Sequence, residues 1–283
     1  MSGAERPLAS SNQPKGSESE AQRGAVLRDY TGSEERESGG KLRLRRVKDL
    51  REYTIDAQET DIGRVRGVYF DDATWTIRYI VVATGTILGG RDVLLSTAAV
   101  KERAWSPLHI RVNLDWKQVE TAPGVDLQQP ISRECEIEQH QHYGWAHYWE
   151  EEAARNSEMQ LHSSEEVFGS KVSARDGEIG RVDDFLFDDK SWNIRWAIIN
   201  TDGWWSEKRV LISPRWIRKV DWQGHAIDVD LSREQIKNSP EWDPRKAVSR
   251  KYELELHKHY QMPPYWVSLN GEPAVEPGQT HKT

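Results

Sequence analysis

The stretch "DIGRVRGVYFDDATWTIRYIVV" (Asp61–Val82) returns 117 residues later as "EIGRVDDFLFDDKSWNIRWAII" (Glu178–Ile199), with 10 of 22 positions identical and no gap. Most differences keep character: Tyr79 aligns with Trp196, Val81 with Ile198 and Val82 with Ile199. The same offset carries Ile55 and Ala57 onto Val172 and Ala174, and Val93–Ser96 onto Val210–Ser213. It also carries Ile110, Val112 and Leu114 onto Ile227, Val229 and Leu231. Further on, "SRECEIEQHQHYGWAHYW" (132–149) agrees with "SRKYELELHKHYQMPPYW" (249–266) at 9 of 18 positions. The chain is therefore a tandem duplication. Two copies of this length imply two globular units, because solenoid repeats are shorter and usually more numerous.

Each copy reads as short strands. "IGRVRGVYF" is rich in β-branched and aromatic residues and ends at the turn pair Asp71-Asp72. In the next strand, period-two alternation puts Ile77, Tyr79 and Val81 on one face and Ile80 and Val82 on the other. Apolar residues on both faces imply a small barrel whose outside is partly covered, with the partner unit as one candidate cover. "DVLLS" and "HIRVNL" add two more short strands, and such spacing points to an antiparallel barrel. Asp115 and Ser232 are suitable helix N-caps, with Gln118 and Gln235 placed to complete capping boxes.

Around this duplication, residues 1–42 and 268–283 are polar and carry too few large apolar residues to offset ordering entropy, so both are expected to be disordered tails. The intervening chain divides into units 43–150 and 161–267, each with a short helical or extended C-terminal extension. The 283 residues carry a formal charge of −7, which argues against general polyanion binding and makes nucleic acid a disfavoured partner. A single cysteine, Cys135, excludes an intrachain disulfide. There is no apolar run of membrane-spanning length and no signal-peptide core. These features together imply a soluble, bacterial-type cytoplasmic protein.

The repeated residues Gly63, Asp71, Asp72 and Trp75, with Gly180, Asp188, Asp189 and Trp192, are read as structural. A lone glycine inside a strand permits a bulge or close backbone approach. No second glycine or Lys-Ser/Thr follows to make a phosphate cradle. Adjacent aspartates could bind a cation, but at a turn they accept backbone N–H bonds more readily. His140 and His142, matched by His257 and His259, would share a face if extended and are the weak candidates for a metal site, which otherwise lacks a third repeated ligand. No cofactor and no catalytic residue is expected: there is no Gly-x-Ser-x-Gly, and Cys135 aligns with Tyr252. The copies differ most in the loops "TGTILGGRD" and "TDGWWSEKR". There Ile87 and Leu88 align with Trp204 and Trp205, the candidate partner-binding residues, because exposed large apolar side chains mark contact surfaces. The plainer reading is that they fold back and plug a barrel end or the seam between the copies.

The ordered series A-x-x-x-D/E-I-G-R-V, F-D-D, W-x-I-R and V-L-L/I-S, present twice, resembles the PRC-barrel family. That family includes the cytoplasmic domain of the photosynthetic reaction-centre H subunit and the C-terminal domain of the ribosome-maturation factor RimM. The resemblance covers about 55–113 and 172–230. It implies a small all-β barrel in each unit and a non-enzymatic role in interaction or assembly. The function expected is a scaffold or adaptor for a protein partner, H-subunit-like in kind, with homo-oligomerisation open. The alternatives are an RNA- or ribosome-associated assembly factor and a metal-binding or hydrolytic enzyme. The two-faced strands further imply two barrels packed about a pseudo-twofold.

Overall fold

The computed structural model describes residues 44–85, 89–106, 108–127, 130–152, 159–201 and 208–267. The expectation of a mainly β chain built from two matching small barrels holds, and the extensions, expected as helical or extended, are largely helical. The first unit contains β2 (Thr54–Ala57), β3 (Thr60–Asp71), β4 (Ile77–Thr84), β5 (Asp92–Ser96), β6 (Val100–Ser106) and β7 (His109–Val112). The second contains β9 (Lys171–Ala174), β10 (Gly177–Asp188), β11 (Ile194–Asn200), β12 (Arg209–Ile212), β13 (Ile217–Asp221) and β14 (Ala226–Val229). Their sheets follow one path, β5-β4-β3-β2-β7-β6 and β12-β11-β10-β9-β14-β13. Pairing is antiparallel except between β2 and β7 and between β9 and β14.

Two three-residue strands, β1 (Leu44–Arg46) and β8 (Leu161–Ser163), begin the two repeats and cross over. β1 pairs with β10 of the second unit, and β8 pairs with β3 of the first. Each barrel is thus completed by a strand from the head of the other repeat. Where the two hairpin turns meet, Ile77 N donates to Trp192 O at 2.9 Å, and Ile194 N donates to Trp75 O at 2.8 Å. This reciprocal pair relates the units by an approximate twofold. Between the two bonds, Thr76 Oγ1 donates to Asn193 Oδ1 at 2.8 Å.

Sequence features set the local geometry. Gly63 and Gly180 have φ +145° and +148°, and each lies against the neighbouring strand's backbone. The serines that end "VLLS" and "VLIS" cap short 3-10 turns: Ser96 Oγ accepts from Ala98 N and Ser213 Oγ from Arg215 N. Both expected capping boxes form, at Asp115 with Gln118 on α1 (Trp116–Glu120) and at Ser232 with Gln235 on α3 (Arg233–Lys237). The remaining long helices are α2 (Arg133–Tyr143) and α4 (Arg250–Tyr260).

One expectation is overturned, on the facing of the fourth strand. Ile77 does not share a face with Tyr79 and Val81. A register shift between the pairs Tyr69↔Tyr79 and Phe70↔Ile77 marks a bulge at Arg78, which turns Ile77 into the barrel core with Ile80 and Val82. Tyr79 and Val81 then lie outside with Tyr69, Leu94 and Ile131. The cover there includes Cys135 of α2 and Tyr148, from the first unit's own extension, together with Leu161 of the crossing strand.

Candidate functional site

The repeated acidic pair divides its labour. Asp71, fully buried, closes its own turn by accepting from Thr74 N at 2.6 Å and from Arg78 Nε at 2.8 Å. Asp188 accepts from Lys190 N at 2.9 Å. The second aspartate of each pair instead reaches the incoming strand. Asp72 Oδ1 accepts from Gln160 N at 2.9 Å, and its Oδ2 lies 3.6 Å from His162 Nε2. Asp189 Oδ2 accepts from Arg45 Nε at 2.8 Å. Turn chemistry therefore explains the first residue of each pair, and anchoring of the crossing strand explains the second.

Trp75 and Trp192 take left-handed backbone angles, φ +56° and +60°, which carry their rings into the seam. Trp75 stacks on Phe70 at 5.0 Å and meets Phe185 and Trp222 of the other unit at 5.9 and 6.3 Å. Trp192 stacks on Phe187 at 5.1 Å and meets Trp105 at 5.7 Å. The repeated tryptophan is thus what one unit presents to the other.

Beside this aromatic seam opens a groove of about 660 Å³. The first unit contributes the Asp72–Trp75 turn; the second contributes Arg195, Arg215, the run Ile217–Val220 and Tyr265. Arg195 lies over the Tyr265 ring at 4.3 Å and 3.7 Å from Asp188. Arg218 lies 3.7 Å from Asp228. Arg215, Arg218 and Lys219 correspond to Ala98, Lys101 and Glu102 in the first repeat, so the second copy alone has gathered this much positive charge. On a chain of formal charge −7, a basic concavity favours an acidic ligand.

The histidines lie elsewhere. They are on helices, not on an extended segment, so His140 and His142 point in different directions, as do His257 and His259. His142 Nε2 donates to Gln118 O and His259 Nε2 to Gln235 O, each at 2.7 Å, fastening α2 to α1 and α4 to α3. His140 Nδ1 donates to Ala146 O at 2.9 Å, and its Nε2 faces the Tyr79 hydroxyl at 2.8 Å. That hydroxyl also lies 3.0 Å from Glu136 Oε1. In the second copy Trp196 replaces the tyrosine and donates its Nε1–H to Glu253 Oε1 at 2.9 Å. His257 thereby loses its hydroxyl partner and makes no close hydrogen bond to a side chain among the described residues. Burial raises the carboxyls of Glu136 and Glu253 and also raises the Cys135 thiol, which is the opposite of activating it as a nucleophile. Among the described residues no three His, Cys, Asp or Glu side chains converge as a metal set. Ile87, Leu88, Trp204 and Trp205 lie outside the described residues.

The buried His257 gives the fold a pH dependence of defined sign. Burial depresses its imidazole to about 3. Below the ordinary histidine value the unfolded chain takes up a proton that the folded chain refuses, so this contribution is intact above that value and is lost as pH falls. Between pH 6.5 and 5 the expected loss is about 1.5 kcal/mol. Glu253 acts in the opposite sense, because its raised carboxyl lets the folded chain take up a proton before the unfolded one does. Denaturant titrations of the wild type and His257→Leu across that range isolate the histidine contribution. The stability of the wild type relative to the variant should fall by about 1.5 kcal/mol from pH 6.5 to 5; parallel curves would show that the His257 pKa is the same in the folded and unfolded chain.

A family model described as PRC-barrel domain matches residues 42–106 and 159–236. No curated protein matches the chain.

Proposed function

We propose a function from one premise: the chain belongs to the PRC-barrel family, whose model spans both of its repeats. On our reading the units 43–150 and 161–267 act together as a non-enzymatic scaffold that binds a protein partner in the cytoplasm. The observation that carries this reading is the seam groove. Its walls come from both units, so the duplicated protein presents a surface that one repeat alone does not have. Trp75 and Tyr265, both buried, form its floor, and the exposed Arg215, Arg218 and Lys219 supply charge. Aromatic and arginine side chains dominate the energetics of protein interfaces. The loops bearing Ile87-Leu88 and Trp204-Trp205 are proposed as a second contact. No helix among the described residues is long and apolar enough to cross a membrane.

The test begins with affinity capture of the full chain from its host, followed by purification of the captured protein and measurement of its affinity. Arg218→Glu/Lys219→Glu should weaken that complex at least about tenfold, because like charges at an interface cost several kcal/mol. Trp204→Ala/Trp205→Ala should weaken it by orders of magnitude if the loops are the energetic centre. Wild-type affinity in both variants, each verified to be folded, would overturn the scaffold reading at these surfaces.

A further inference from the structure

The groove runs along a strand edge. β13 is the last strand of its sheet, and among the described residues it pairs only with β14. Four consecutive residues of β13, Ile217 to Val220, line the groove. On the side of β13 away from β14, the backbone N–H and C=O groups are not taken up by a neighbouring strand among the described residues.

Resting on the scaffold reading above, we propose that this edge receives an extended acidic segment of the partner protein, added to the second barrel as a further β-strand. Main-chain hydrogen bonds to β13 would supply the pairing, and alternate side chains of the guest would set its specificity. Arg218 and Lys219 stand on the edge itself, and Arg215 lies at the groove wall. Ile217 and Val220, both half-buried, offer apolar surface to the side chains between the acidic ones.

The same features discourage other guests. Lysine and arginine on an edge strand are devices that keep neutral or basic strands from pairing. An acidic strand is the one whose charge turns that barrier into attraction, so the edge both rejects and selects. In sequence the first repeat has Ala98, Lys101, Glu102 and Arg103 where the second has Arg215, Arg218, Lys219 and Val220, so the second copy carries the larger positive charge. The occupant is a peptide segment rather than a nucleic acid, since an overall charge of −7 opposes a polyanion while a short acidic strand meets only the local basic field.

The experiment is a selection on the immobilised full chain from a random library of peptides about nine residues long, the length of a long strand, with Arg218→Glu/Lys219→Glu protein as counter-target. We expect enriched peptides with Asp or Glu at alternate positions and affinity at least about tenfold weaker for the charge-reversed protein. A version of the best peptide N-methylated at alternate backbone positions should bind at least about tenfold more weakly than its parent, since it cannot donate to the ladder. Backbone amides of Ile217–Asp221 should exchange more slowly with the parent peptide bound. If no peptide distinguishes wild type from the charge-reversed protein, the acidic guest is wrong. If the parent binds but N-methylation has no effect, groove docking stands and strand addition is wrong. If the peptides fail while a single-stranded RNA binds through Arg218 and Lys219, the site belongs to nucleic acid, and the protein-partner reading of this groove falls with it.

Discussion

Gly63→Ala and Gly180→Ala are each expected to destabilise the protein by about 3–5 kcal/mol, the sum of backbone strain and a steric clash. The backbone at both positions has a φ near +145°, a region that glycine alone enters freely. A Cβ on Gly63 would stand 2.2 Å from Ala83 O, and one on Gly180 would stand 2.1 Å from Asn200 O. Both obstacles are main chain of the adjacent strand, so no rotamer change relieves them. Relief requires parting β3 from β4, or β10 from β11, inside the barrel. Gly89 is the control: its φ is +86° and nothing lies within 4 Å of where a methyl group would stand, so alanine there should cost only the conformational part, about 1 kcal/mol. Equilibrium unfolding in urea compares the three. A loss below about 1 kcal/mol at Gly63 and Gly180 would mean that the close approach of the strands is not rigid.

Arg46→Ala should cost about 2–3 kcal/mol, less than a fully buried ion pair because the arginine is itself partly exposed. Its Nε donates to Asp184 Oδ2 at 2.9 Å, and the Asp184 side chain has no exposed surface. Lys48 N and Phe185 N hold the other oxygen at 3.1 and 2.8 Å. Burial already pushes this carboxyl upward, and the two amides with Arg46 hold it back. Without the guanidinium, the buried charge loses the cation paired with it, and the acid rises further. The folded variant then takes up a proton more readily than the unfolded chain, so its deficit against wild type should be largest near neutral pH and should shrink on acidification. Unfolding curves of both proteins at pH 7 and pH 5 measure this directly. A deficit that stays constant would show that the arginine contributes packing and not charge.

What was legible in the sequence was whatever acts over a few residues. The duplication, the glycines at close approaches, the serine and aspartate caps and the turn role of Asp71 all follow from local geometry that a residue type encodes. The bulge at Arg78 was not legible, because nothing in "WTIRYIVV" announces one extra residue, and strict alternation therefore put Ile77 on the wrong face. The helices of the extensions were hidden for a different reason. α2 buries Glu136, Gln139, His140 and Tyr143, and α4 buries Glu253, Leu254, Leu256, His257 and Tyr260. These positions have helical spacing, but most are polar, so no apolar stripe reveals them. β1 and β8 are three residues each and mostly polar, and the pairing of β1 depends on a partner more than 100 positions away. The groove was illegible for the same reason: its Asp72–Trp75 wall and its Arg195–Val220 wall meet only in three dimensions.

The crossing of β1 and β8 also imposes an order on the birth of the protein. As the chain is made from its amino end, β8 follows the first barrel directly and can close onto β3 soon after it appears. β1 has no such fortune. Its berth on β10 is finished only at Asp188, so Leu44–Arg46 must wait while roughly 140 further residues are polymerised, on the order of ten to thirty seconds at ordinary rates of synthesis. Until then Leu44–Arg46 has no native place to go, although the other strands of the first repeat are already made. A contact so distant in sequence is slow to find. The two halves therefore mature as a single object rather than as beads released one after the other.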